Sequence, residues 1–310
     1  MTDATDFAPE LNSSWSAFHG DPQLAEFLLN RLRWHAKAGH LEVSRRPYWR
    51  AGKGTTSAAL VHNADPQVFE RITGLPYSLG LVLELAAVRT VAEVEQIAAA
   101  LRPGLDTENV AARVLHSWFV EPANRWPELI DDPEVNQLRL DWLNACEQWL
   151  SDQREVDWQS LAARAKALIR PEVVLRTVQN SLLEMFQKLC PPPPSSEVDT
   201  WISLTVGAGV HCKFMVAQSA FGWTASDFAK EVELFQWFTE REKQEPGGKF
   251  NDATLRVAQA EWAQLPKDLD YIAKEHYFFQ HTESAFTPIN ARLRAILVTH
   301  LNALGTPARR

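Results

Sequence analysis

"PEVNQLRLDWLNACEQWL", Pro133 to Leu150, is the stretch that decides the fold class. Val135, Leu138, Trp142, Ala145 and Trp149 recur in alternating steps of three and four, which places them on one face of an α-helix. Leu143, Cys146 and Leu150 form a second stripe beside the first. An apolar face this wide belongs to a helix running through a core, which makes Cys146 a small core residue rather than a nucleophile. Asp132 before Pro133 supplies the start: the carboxylate accepts free backbone amides, and proline is tolerated in the first turn.

The same punctuation recurs outward along the chain. Asp21-Pro22 opens a segment with Leu24, Phe27, Leu28 and Leu32 on one stripe and Gly39 as its close; Asp65-Pro66 opens another that stops at Gly74. Thr90 with Glu93 spells a capping box, and from about Glu108 the residues Val110, Val114 and Trp118 keep steps of four. Further helices are expected at about 157–169, 172–189, 197–220, 225–243, 252–264, 267–282 and 288–304, the last bracketed by Pro288 and Gly305. Strand signals are nearly absent, and no repeat with the period of a solenoid is present. The expectation is an all-α, globular multi-helix bundle of about a dozen helices.

"CPPPPSSEVD", Cys190 to Asp199, is the clearest interruption, because four prolines cannot continue a helix. It suggests an N-terminal helical region, 1–190, carrying a basic loop at 44–57, and a C-terminal helical region, 191–310, divided at Pro191–Pro194. One domain spanning both is the alternative, and 310 residues allow either.

Composition narrows the function. Three cysteines at wide spacing, with no CxxC, argue against a disulfide framework or a structural zinc site and favour a reducing cytoplasm. The first residues carry neither a basic start nor an apolar run, so no leader is expected there. The most apolar segment, 202–221, is interrupted by His211, Lys213 and Gln218 and reads as a buried helix rather than a membrane span. A net charge of −8 with dispersed acids disfavours nucleic acid as a partner. The twelve tryptophans are assigned first to helix packing and second to ligand stacking.

Two places hold candidate chemistry. "SRRPYWRAGKGTTS", Ser44 to Ser57, gathers Arg45, Arg46, Arg50 and Lys53 without an acid, interleaved with Tyr48 and Trp49 and followed by a Gly-Lys-Gly turn and three hydroxyls. Guanidinium forks, glycine-exposed amides and hydroxyl donors are the materials of an anion site, and a solvated basic loop needs the same residues. In "TVGAGVHCKFM", Thr205 to Met215, His211 falls on an apolar stripe with Gly207 and Ala208 a turn earlier, leaving space that either a neighbouring helix or a flat cofactor fills. In the second case His211 would be the axial ligand of a haem. Cys212 points about 100° away from His211 and does not pair with it.

Other constellations fail on spacing. His276 and His281 are five apart and do not share a helix face. "DDPEV" and "NDATLRVAQ" lack the metal-binding acids and hydroxyl of helical terpene cyclases, and no GxSxG, GxGxxG or kinase set is present. Two functions stand. One is a soluble helical binding protein that recognises an acidic protein partner or a small anionic ligand through the 44–57 loop. The other is an all-α enzyme with an internal pocket at the His211 helix, of the haem-dependent oxygenase type. Whether the chain is an enzyme is left open between them.

Overall fold

The computed structural model describes residues 15–44, 46–130, 132–151, 155–169, 178–192, 209–264 and 269–305. Its architecture is all-α, with fifteen α-helices and one two-stranded hairpin among the described residues. The local start signals do what their chemistry dictates. Asp21, Asp65 and Asp132 each accept a backbone amide two residues on, opening α1 (Pro22–Lys37), α3 (Pro66–Thr73) and α8 (Pro133–Leu150). Thr90 and Glu93 close a reciprocal capping box on α5 (Val91–Ala100).

The count exceeds the expected dozen because short helices sit between the long ones. These are α2 (Thr56–Val61), α4 (Tyr77–Leu85) and α7 (Trp126–Leu129). The last helix, α15 (Thr282–Ala303), begins earlier than proline punctuation suggests and carries Pro288 inside it. Ala285, Ile289, Leu293, Leu297 and Leu301 are all buried, and that packing outweighs the one backbone hydrogen bond proline cannot make.

One hydrophobic core runs from Ala17 to Leu301. At its centre lies α4, all nine of whose residues are buried; it packs against α2, α3, α15 and α6 (Val110–Val120). Beside it, α6, α8 and α10 (Val178–Lys188) enclose an aromatic nest of Trp118, Phe119, Trp126, Trp142 and Phe186, each at most 1 % exposed. Neighbouring rings there meet at 5.1–5.7 Å in tilted or edge-on pairs. Trp126 Nε1 donates to the Trp118 carbonyl (3.1 Å) and Trp142 Nε1 to the Leu189 carbonyl (3.0 Å), so these two indoles bury their polar edge with a partner.

The remaining described helices are α9 (Trp158–Leu168), α11 (Val210–Ala220), α12 (Ala225–Lys243), α13 (Asp252–Gln264) and α14 (Leu269–Gln280). Cys146, Cys190 and Cys212 are free thiols. Among the described residues, no helix is long and apolar enough to cross a membrane.

Candidate functional site

The basic stretch is a pinned hairpin rather than a loose loop. β1 (Trp49–Arg50) pairs antiparallel with β2 (Lys53–Gly54), and the turn residues Ala51 and Gly52 sit at φ 51° and 79°. Positive φ at both central positions is the mark of a type I′ turn, at a cost of about 1 kcal/mol for the alanine. Three backbone bonds fasten the hairpin to the chain around it: Glu42 N–H to Gly54 O (2.9 Å), Gly54 N–H to His40 O (3.1 Å) and Thr55 N–H to Tyr48 O (3.1 Å). Gly54 is required by close approach, because a Cβ there would run into the Tyr48 carbonyl and the Trp49 ring.

Beneath the hairpin lies a cluster of imidazoles and indoles that the sequence did not single out. His35, on α1, is 2 % exposed, and its Nε2 is 2.7 Å from Nε2 of His62, which caps α2 in the left-handed conformation. Trp49 stacks flat on His62, with centroids 4.5 Å apart and planes 7° apart, and meets His35 edge-on at 4.9 Å. Trp34 lies edge-on to both His35 and His40. Burial, followed by the neighbouring His62, His40 and Arg31, pulls the His35 pKa from 6.5 to about 4. Burial and Arg31 also lower that of His62.

The surface above this cluster is basic and aromatic. Arg46, Arg50 and Lys53 are exposed, and among the described residues none has a carboxylate within ion-pair distance. Several arginines elsewhere are matched, among them Arg33 with Glu95 at 2.7 Å, Arg164 with Asp141 at 2.8 Å and Arg241 with Glu261 at 2.7 Å. Tyr48 is tied down, its hydroxyl donating to the Glu42 carboxylate. On α1, Phe27 and Trp34 are 58 % and 59 % exposed, with Arg31 between them, 4.6 Å over the Phe27 ring. Arg45 lies outside the described residues.

The three hydroxyls that follow face inward and are already engaged, Thr56 donating to the Val88 carbonyl (2.8 Å) and Ser57 to the Glu84 carboxylate. Thr55, Thr56 and Ser57 are at most 1 % exposed. The Glu84 carboxylate, projecting from α4, accepts the Ser57 N–H (2.8 Å), the Thr56 N–H (3.2 Å) and the Ser57 hydroxyl, so it caps α2 from another helix. Burial raises the Glu84 pKa, and these donors offset only part of that rise.

Gly207, Ala208 and the side chain of His211 lie outside the described residues. What the same helix, α11, does present is Lys213, 5 % exposed, with Nζ donating to the Leu85 carbonyl at the end of α4 (2.8 Å). Arg294 Nη1 donates to the adjacent Ala86 carbonyl (2.9 Å) and pairs through Nη2 with Glu93 (2.8 Å). Cations at a helix C-terminus complement its dipole. Burial, then Arg294 and Arg89, lowers the Lys213 pKa from 10.5 to about 7. Burial also pushes the Cys212 thiol up, leaving it protonated and inert.

Two further histidine contacts are structural. Ser117 Oγ lies 2.8 Å from His300 Nε2 between α6 and α15. Ser117 sits inside α6, where the surrounding amides are spent in the helical ladder and none is free to steady an oxyanion, so the pair is an interhelical hydrogen bond. His276 is bonded to Gln280 (2.7 Å) and His281 to the Tyr277 carbonyl (2.8 Å). Among the described residues, no group of three or more His, Cys, Asp or Glu is placed to hold a metal ion. The signal that could have found the main cluster was compositional: Trp34, His35, His40, Trp49 and His62 fall within one short span. Compared with known proteins, the chain matches no family model, no curated protein and no solved structure.

Proposed function

We propose that this is a binding protein whose hairpin and adjoining α1 face recognise an acidic segment of a partner protein that also carries apolar side chains. The observation that carries the reading is the set of exposed cations Arg46, Arg50 and Lys53, without an ion-pair partner among the described residues, at a hairpin held rigid in a net acidic chain. A fixed backbone lets charges act without first losing conformational entropy. Phe27 and Trp34 supply apolar contact area beside them, since Trp34 and Trp49 both pack against His35. A segment suits the site better than a small anion does. The amides and hydroxyls that would close around a small anion are occupied, the Thr56 and Ser57 amides and the Ser57 hydroxyl by Glu84 and the Thr56 hydroxyl by the Val88 carbonyl. The unpaired thiols support a reducing compartment such as the cytoplasm as the place of action.

The test is fluorescence anisotropy with a labelled peptide in which Glu alternates with Leu and Phe, titrated with the full chain at low and high salt. Binding should weaken as salt rises and disappear in the double variant Arg46→Glu/Arg50→Glu. Equal binding by that variant, or by the protein to a peptide with Lys in place of Glu, would overturn the reading.

A further inference from the structure

We infer that the His35–His62 pair is a proton-operated latch that fastens the basic hairpin to α1, so that taking up a second proton releases the hairpin. The inference deepens the preceding reading by giving the proposed binding face a regulator, and it rests on that reading only for its consequence on binding.

The geometry sets the rule. Two Nε2 atoms at 2.7 Å share a hydrogen bond only when one donates and the other accepts. One proton added to the pair preserves that arrangement as a charge-assisted N–H···N bond. Two added protons aim one N–H at another and leave no acceptor. The ring that must yield is His62. It is exposed and lies at the end of α2, whereas His35 is enclosed within the α1 packing.

Among the described residues, nothing facing His35 relieves the second charge. Its own helix offers Arg31, the following loop His40 and α2 His62, and all three disfavour a cation there. From α5 the acid at α1 is Glu95, which Arg33 holds in a two-pronged bond of 2.7 and 3.0 Å. On the hairpin side Glu42 is taken by Tyr48. Trp49 lies flat on His62, so displacing that ring removes the stacking partner of the hairpin's first strand. The two imidazoles therefore titrate as a coupled pair, with the second step near pH 4, where burial and its neighbours place His35.

The experiment uses the full chain with nitrogen-15-labelled histidine. Long-range proton–nitrogen correlation spectra from about pH 7 to about pH 4 read each ring nitrogen directly. Assignment comes from His35→Gln and His62→Gln. At neutral pH one of the two Nε2 atoms should be protonated and the other not. Titration should proceed in two separated steps. The second should coincide with loss of exchange protection, corrected for intrinsic rate, at the Glu42, Gly54 and Thr55 amides that pin the hairpin. In His62→Gln, which lacks both the Trp49 stacking partner and the second proton site, protection at these amides should already be reduced at neutral pH and should show no further step on acidification. The acidic-peptide affinity of that variant should change less between neutral and low pH than that of the unmodified protein, the peptide's own titration being common to both.

Independent titration of the two rings near the ordinary histidine value, or hairpin amides that stay protected through the second step, overturns the latch. Because the ring and amide signals need no peptide, a latch that titrates as described beside a peptide that never binds would sink the proposed function alone. His62→Gln carries the test if His35→Gln does not fold.

Discussion

Two aromatic clusters in this molecule are both built around tryptophan and do opposite things. Trp118, Trp126 and Trp142 lie in the nest between α6, α8 and α10, closed off by Phe119 and Phe186 and almost fully buried. Trp34 and Trp49 lie beside His35, His40 and His62, with Trp34 mostly exposed and unpaired cations above. In the first cluster indole area stabilises the fold by leaving water. In the second, much of that area stays in water, where it contributes little to folding and is available for contact. Tryptophan by itself is not a sign of either use; the company it keeps decides.

The comparison can be broken most severely in the nest. Trp142→Ala removes a side chain with no exposed surface and should cost about 3–5 kcal/mol of stability, measured by urea unfolding. Trp34→Ala, by contrast, should stay within about 0.5 kcal/mol. Similar losses at both positions would dissolve the distinction drawn here.

Next in size is the carboxylate beneath the hairpin. Glu84→Ala strands the Thr56 and Ser57 amides in the core and should cost about 3 kcal/mol. Hydrogen exchange should locate the damage at the start of α2. A loss confined to α4 would show that the carboxylate does not act as a cap.

The pH dependence of stability sharpens the contrast further, because the nest contains no ionisable ring. His35 has a folded pKa of about 4 against 6.5, so between those values the unfolded chain takes up a proton that the folded chain refuses. Stability therefore falls as pH drops through that window. Lys213 is held at about 7 against 10.5, and the same reasoning makes stability rise as pH goes from about 7 to about 10.5. Urea midpoints across the full range should show both slopes. The acid slope should shrink in His35→Gln and the alkaline slope in Lys213→Met.

The smallest effect on stability and the largest on recognition should coincide in Arg46→Glu/Arg50→Glu. Both residues are exposed and unpaired, so the midpoint should move by less than about 0.5 kcal/mol while peptide binding is lost. A large shift in the unfolding midpoint would mean that the hairpin's charges hold the structure instead.

How far these features could be read in advance follows from the distance over which each is made. The caps at Asp21, Asp65, Thr90 and Asp132 were legible because donor and acceptor lie two or three residues apart. The stripe through Val135, Leu138 and Trp142 was legible because one helix turn brings them into line. The hairpin was missed as a hairpin, since Ala51-Gly52 is a weak turn signal and cations obscure any apolar alternation. In "TVGAGVHCKFM" attention fell on His211, whereas the described polar contact from that stretch is made by Lys213, to a carbonyl far back in the chain. The role of Glu84 has no local sign in the sequence, because its partners stand 27 and 28 positions earlier.

The sequence by itself determined the all-α class, most helix starts, the apolar faces and the local excess of positive charge around Arg46 and Arg50. These depend on spacings within a few turns, which backbone geometry converts directly into structure. Only the tertiary structure decided that the charged stretch is a rigid hairpin, that Glu84 satisfies the helix start behind it, and that His35 meets His62 beneath it. Those contacts join groups far apart in the chain, and burial, not local propensity, is what makes them strong.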